Sequence, residues 1–171
     1  VEDGISREEL QTLLPPGGAR NAIDCALWDL EAKQQGRTIW QMIGWEPKPV
    51  TTVYTVGIDG LVNMERDAAQ HNDHRFLKVK VGIGDPVEQI GAINAGAPDS
   101  AIVIDANQAW TVADLEKYAD TLKSMGVEMI EQPMDRVHDE ALRGYDAPLP
   151  ICADESCATS ADLERLEGLY S

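Results

Sequence analysis

Phe76-Leu77-Lys78-Val79-Lys80-Val81 alternates apolar residues with lysine and stops at Gly82. Period-two alternation marks a strand whose two faces meet different surroundings. Residues at i and i+2 on a strand point the same way, so Lys78 and Lys80 share a face. Downstream, Ala101-Ile102-Val103-Ile104-Asp105, Val127-Glu128-Met129-Ile130-Glu131 and Pro150-Ile151-Cys152-Ala153-Asp154 read as three more strands. Upstream, the β-branched and aromatic stretch from Val50 to Gly57 reads as another. Between these runs lie helical stretches over 61–71, 86–95, 111–125 and 138–143, and a last one over 160–167. Thr111 is placed to cap its helix and Gly126 to stop it. Strand and helix thus alternate five times with short connections, the pattern of a parallel α/β sheet with crossover helices.

The first fifty residues read differently. Ser6 and Glu9 have capping-box spacing at the start of a helix over 6–14. Pro15-Pro16-Gly17-Gly18 then breaks the chain. Ala22, Ile23, Ala26, Leu27 and Leu30 recur at helical spacing over 19–35, and Gly36 is a natural terminator.

Periodicity alone does not choose between an open doubly wound sheet and a closed barrel. The charged residues narrow the choice. Lys80, Asp105, Glu131 and Asp154 each close a strand, at spacings of 25, 26 and 23 residues, so one βα unit separates each from the next. In a parallel sheet such ends lie on one side, and the four should meet at a common mouth. A lone Asp at a strand end is ordinarily a turn or cap residue; four chemically related ends in register carry the argument. Three carboxylates at one mouth repel, and a hard divalent cation resolves the conflict. Mg²⁺ prefers carboxylate oxygen, and Mn²⁺ also suits it. Zinc is disfavoured, because no His or Cys lies at these ends except Cys152. Beside a divalent cation and a second ammonium, a lysine loses proton affinity and can serve as a general base. Of Lys78 and Lys80, one would be the base and the other electrostatic support. A substrate carboxylate held at the cation would have an acidified α-proton.

Composition sets limits. The formal charge is −16 and 43% of residues are apolar, with a sequence pI of about 4.4. Nucleic acid and anionic membrane are therefore poor partners, and no apolar run is long enough to span a bilayer. Three cysteines, Cys25, Cys152 and Cys157, make no disulfide framework or CxxC motif; reduced thiols point to the cytoplasm. His71, His74 and His138 are expected on the surface, and the four tryptophans in packing roles.

These residues resemble the enolase superfamily, specifically its muconate-lactonising subgroup, in Lys78-Val79-Lys80 followed by Asp105, Glu131 and Asp154 on the next three strands. The stretch from Arg20 to Lys33, with Asp105-Ala106-Asn107-Gln108-Ala109-Trp110, Ile130-Glu131-Gln132-Pro133 and Cys152-Ala153-Asp154-Glu155-Ser156, is similar to the dipeptide epimerases. The resemblance implies a (β/α)₈ TIM-type barrel, of which about the first five βα units are present. Residues 1–18 would be the end of an α+β capping domain or a linker, and residues 19–171 the partial barrel. It implies Mg²⁺-dependent 1,1-proton transfer on a dipeptide of the L-Ala-D/L-Glu type. Lys80 would be the acid/base, Lys78 its neighbour, and Asp105, Glu131 and Asp154 the metal ligands; Thr55 and Asn107 would line the substrate. The family's second lysine, on strand six, lies beyond Ser171, so the chain is expected to be a fragment with exposed sheet edges. A homo-oligomer is compatible with all of this. Cycloisomerisation, o-succinylbenzoate synthesis and N-acylamino acid racemisation share the same half-reaction, and a non-catalytic metal-binding module would keep the carboxylates without needing the lysines.

Overall fold

The computed structural model describes residues 4–171. Contact density divides the chain into two compact units, Val1–Val50 and Thr51–Ser171.

The first unit holds α1 (Arg7–Leu13), α2 (Gly18–Gln35) and α3 (Ile39–Ile43). The Ser6–Glu9 capping box forms as the spacing predicts, and Gly36 ends α2 in the left-handed conformation. α2, placed with the barrel on sequence grounds, packs with α1. The Arg7 guanidinium lies 3.5 Å from the centre of the Trp28 ring and pairs with Glu31 at 2.9 Å. The single-turn helix α3 has no sequence expectation behind it; its signals are the Thr38–Gln41 capping box and Gly44 at its end.

The second unit is built on β1 (Val53–Val56), β2 (Phe76–Lys80), β3 (Ala101–Asp105), β4 (Val127–Glu131) and β5 (Ile151–Cys152). All neighbouring pairs are parallel, and spatial order follows chain order, β1-β2-β3-β4-β5. That order settles the choice left open by periodicity. A doubly wound sheet reverses its strand order at a switch point, whereas a barrel adds each strand beside the last. The sheet is the five-stranded part of such a barrel.

Helices α4 (Leu61–Gln70), α5 (Pro86–Gly96) and α6 (Val112–Ser124) follow β1, β2 and β3. Met64 and Ala68, Ile90 and Ile93, and Leu115, Ala119 and Leu122 join Leu77, Val79, Ile102, Ile104 and Ile130 in one buried cluster. Burying this aliphatic layer, at about 25 cal/mol per Å² of apolar surface, is the main force holding helices to sheet. α4 and α5 approach so closely that a Cβ on Gly96 would run into the Glu65 carbonyl oxygen. The opposite sheet face carries Lys78, Lys80, Asp105 and Glu131. Two expected helices are shorter or tighter than read: 136–142 forms a 3-10 helix, and 160–166 a 3-10 turn followed by α7 (Leu163–Leu166). Nor are all the histidines on the surface. His71 stacks on Tyr54 at 3.6 Å between ring centres, and His71 and His74 are both half-buried.

Beside β5 lies a buried polar network. Asp139 is 2% exposed and accepts bonds from Ser156 Oγ at 2.8 Å, Tyr170 OH at 2.5 Å and Arg165 Nη1 at 2.8 Å. Burial, with the facing Asp139 carboxylate, pushes the Tyr170 hydroxyl up to about 12. A folded-state value above the unfolded value of about 10 stabilises the fold below pH 10, and that contribution disappears as pH rises toward 12. Urea unfolding of the intact protein should therefore lose about 2 kcal/mol more between roughly pH 9 and roughly pH 12 than the Tyr170→Phe variant does. Identical pH profiles for the two would contradict this coupling.

Candidate active site

Register brings the sequence-predicted residues to one end of the sheet. Lys80 pairs with Asp105, Asp105 with Glu131, and Glu131 with Cys152. These form one row across four strands. One level down, Lys78 pairs with Thr55. Each strand breaks just beyond the row, so the charged groups sit where backbone pairing gives way to loops. Those loops stay linked: Ala106 N–H donates to the Glu131 carbonyl at 3.1 Å, Gln108 N–H to that of Gln132 at 2.8 Å, and Gln132 N–H to that of Cys152 at 2.8 Å. Asn107, Gln108 and Gln132 hold φ of 43°, 68° and 35°. Left-handed backbone is costly for residues with a side chain and persists only where surrounding structure enforces it.

The side chains form an alternating charge array. Lys78 Nζ lies 2.7 Å from Glu131 Oε1 and 2.9 Å from Asp105 Oδ2. Lys80 Nζ lies 2.9 Å from the same Asp105 oxygen and donates to Asn107 Oδ1 at 2.6 Å. Asp105 is fully buried, and its other oxygen accepts the Asn107 N–H at 2.9 Å. A buried carboxylate would be untenable alone and is stabilised by these donors. Burial raises the Asp105 proton affinity, but the bonds from Lys80, Lys78 and the Asn107 amide outweigh it and hold the group below its usual range. For Lys78, burial works against the ammonium, yet the bonds to Glu131 and Asp105 prevail and the group is raised. This is opposite to the fall expected beside a divalent cation, because the neighbours that face the amine here are carboxylates.

Asp154 and Thr55 are placed less centrally. Asp154 is exposed on the loop after β5, with its backbone N–H bonded to Gln132 Oε1 at 2.8 Å. Its carboxylate still reaches the row electrostatically: burial, then the charges of Glu131 and Asp154, raise the Cys152 thiol. Thr55 is exposed beside Lys78. Among the described residues, no group of three or more His, Cys, Asp or Glu side chains is arranged to hold a metal ion. The donor chemistry nonetheless suits a hard cation. Asp105 and Glu131 already share one cationic atom, Lys78 Nζ, and the third carboxylate is on the adjoining loop.

Two residues quoted in the motifs but given no role enter the site. Glu155 Oε1 accepts the Asn107 side-chain N–H at 3.3 Å, so the Asn107 amide is oriented by a cation on one side and an anion on the other. Gln132 is completely buried behind the Glu131 strand end. Their only sequence signal was adjacency to Asp154 and Glu131.

Comparison with known proteins identifies the family. Residues 63–167 match the enolase C-terminal domain-like family, and residues 2–44 match the mandelate racemase/muconate lactonizing enzyme N-terminal domain. The chain is 42% identical to the L-Ala-D/L-Glu epimerase of Escherichia coli, over 99% of this chain and 54% of the relative. It is 40% identical to the N-acetyl-D-glutamate racemase of a Pseudoalteromonas species, over 95% of this chain and 51% of that one. The dipeptide epimerase of Cytophaga hutchinsonii, solved with Mg and the dipeptide D-Ala-L-Val, superposes with a TM-score of 0.77 at 35% identity, covering 85% of this chain and 42% of that one. The chain thus spans about half the length of the curated relatives it matches. With the parallel strand order, the row of charged strand ends and both domain matches in agreement, the chain belongs to the enolase superfamily, in its mandelate racemase/muconate lactonizing branch.

Proposed function

We propose that the intact protein is a magnesium-dependent epimerase that removes and returns the α-proton of a carboxylate substrate, with a dipeptide of the L-Ala-D/L-Glu type as substrate. The observation that carries this reading is the row Lys80–Asp105–Glu131, with Lys78 Nζ lodged between two carboxylates. In this reading Asp105, Glu131 and Asp154 hold the ion. When bound, Mg²⁺ supplies a Lewis acid for the substrate carboxylate and lowers the cost of charge that develops there.

The protein's own groups account for the rest. Lys80, reached by Asp105 and Asn107 at Nζ and 36% exposed along its side chain, is reachable from solvent and, as the free amine, takes the proton from one face of the α-carbon; inversion requires a second acid to return a proton to the other face. Lys78 is more enclosed, at 19%. Set between Glu131 and Asp105, it is placed to hold negative charge near the reacting carbon rather than to meet the substrate's proton. Asp105, Glu131 and Asp154, with Glu155 beside Asn107, bring an excess of carboxylates to the mouth, and a divalent cation finds its counter-charge there. Thr55 and Asn107 border the space above Lys78 and Lys80 and are assigned to substrate contact. No described helix is long and apolar enough to cross a membrane; with free thiols at Cys25, Cys152 and Cys157, the cytoplasm is the proposed location.

The similarity to an N-acetylglutamate racemase favours one second reading, in which the same half-reaction acts on an N-acyl amino acid. One experiment separates the two. The intact protein with Mg²⁺ in deuterium oxide is expected to place deuterium at the α-carbon of the glutamyl residue of L-Ala-L-Glu. Exchange into N-acetylglutamate alone would move the assignment to the second reading. Exchange into neither would remove both.

A further inference from the structure

We infer that Gln132 is a positioning residue: its buried side chain clamps the loop after β5 and thereby sets where the Asp154 carboxylate stands relative to Glu131. The inference rests on the proposed role of these two carboxylates as ligands. Nothing in the proton-transfer chemistry uses Gln132, yet it is the most completely engaged side chain near the mouth.

Gln132 is 0% exposed, and every hydrogen-bonding atom of its amide is occupied. Oε1 accepts the backbone N–H of Asp154 at 2.8 Å and of Ser156 at 3.1 Å. Nε2 donates to the Met134 carbonyl at 2.9 Å and to Ser156 Oγ at 2.7 Å, and lies 3.1 Å from Tyr170 OH. The main chain of the same residue is bonded on both sides, to Cys152 of β5 and to Gln108 of the loop after β3. One residue therefore joins the three loops that follow Asp105, Glu131 and Cys152. A buried primary amide is tolerated only when its partners are complete, and a complete network fixes geometry more tightly than apolar packing of equal volume.

The far side of the clamped loop is held as well. Ser156 Oγ passes the chain of bonds to Asp139 at 2.8 Å. Arg165 binds Asp139 through one guanidinium nitrogen at 2.8 Å and the Ser156 carbonyl through the other at 2.9 Å. Cys157 N–H closes the turn onto the Asp154 carbonyl at 3.0 Å. The backbone from Asp154 to Cys157 is thus gripped from the Gln132 side and from the Asp139 side, while the Asp154 carboxylate is left exposed. That is the arrangement expected of a side chain presented for a ligand from a rigid mount. The left-handed φ of Gln132, 35°, has the same rationale: it lets residue 132 turn its amide back beneath the loop while residue 131 faces the mouth.

Packing and positioning roles predict opposite rankings for two variants. Gln132→Met keeps the volume and fills the buried space but loses every side-chain hydrogen bond. Gln132→Glu, neutral where it is fully buried, keeps the acceptor for the Asp154 and Ser156 amides and one O–H donor toward the Met134 carbonyl. In the intact protein, Mn²⁺ binding followed by calorimetry, amide hydrogen exchange over residues 154–157, and thermal unfolding are measured together. We expect Gln132→Met to melt cooperatively, to exchange the Asp154 and Ser156 amides faster, and to bind Mn²⁺ at least about tenfold more weakly. Gln132→Glu should stay within about threefold of the parent. Mn²⁺ affinity unchanged in Gln132→Met, or lost equally in both variants, overturns the inference. Should Gln132→Met fail to fold, Ser156→Ala decides. It removes the hydroxyl beneath the clamp and is expected to weaken Mn²⁺ several-fold, with unchanged affinity overturning the inference. Asp154→Asn tells the two claims apart. If that variant binds Mn²⁺ normally, the ligand reading itself has failed; if it does not while Gln132→Met does, only the clamp has.

Discussion

Replacing Lys80 with Ala in the intact protein is expected to lower kcat about 10³-fold, within the range for loss of a positioned general base, while Mg²⁺ affinity is kept or tightened, since Lys80 Nζ also occupies Asp105. Access and charge separate Lys80 from Lys78. Lys80 Nζ reaches Asp105 and Asn107 from a side chain 36% exposed, so it can meet a substrate entering from the open face. Lys78 is set between two carboxylates that favour its protonated form. Lys80→Arg should fare no better than Lys80→Ala, because a guanidinium keeps its charge and cannot act as a base at neutral pH. Lys78→Ala should lower turnover as well, but by loss of electrostatic support. It should also tighten Mg²⁺ binding, since an ammonium that competes for Glu131 and Asp105 is gone. Turnover of Lys80→Ala within twofold of the parent would remove the assigned base and favour a metal-binding module without catalysis. Deuterium exchange into L-Ala-L-Glu measured on the same variant keeps chemistry separate from product release.

The strands were legible because their signals are local. Phe76 to Val81 shows its period in six residues, and Asp105 and Glu131 stand at the last position of an apolar run. The row Lys80–Asp105–Glu131 followed from near-equal spacing plus parallel pairing, and the register places those residues side by side. Strand order was the one architectural fact that periodicity withheld, since a doubly wound sheet has the same local pattern. What stayed hidden depends on distant partners. The Gln132 amide is defined by Ser156 and Tyr170, 24 and 38 residues away, and Glu155 finds Asn107 across 48. No window of sequence contains such pairs. The segment 136–142 carries helical spacing but forms a 3-10 helix; its N-terminal turn is set by the Asp135 side chain, which accepts the Val137 N–H at 3.0 Å. Likewise His71 reads as a surface residue in isolation, and only the Tyr54 ring of the neighbouring strand makes it a packed one.

Glu131→Gln is expected to weaken Mg²⁺ binding about 100-fold or more by calorimetry, exceeding the 10–100-fold typical of residues that merely support a ligand, with little loss of thermal stability. The two halves of this expectation have separate causes. Stability should survive because the Gln amide oxygen still accepts from Lys78, and Lys78 retains Asp105 at 2.9 Å as its ionic partner. No buried charge is left alone, which is the circumstance that makes removal of one ion-pair member destabilising. Affinity should fall because a carboxylate assigned as a ligand becomes a neutral amide while Lys78 keeps its charge beside it. The row then offers a divalent cation one anion fewer, with Asp154 and Glu155 outside it. Partial recovery is expected when Lys78→Ala is added to Glu131→Gln, because Asp105 is then freed of the Lys78 ammonium at 2.9 Å. Coupling of this kind requires the residues to be neighbours and would vanish if they acted independently. Equal Mg²⁺ affinity in the parent and Glu131→Gln, with Lys78→Ala neutral in both backgrounds, would show that the ion binds elsewhere and that these charges serve only to hold the sheet's end together.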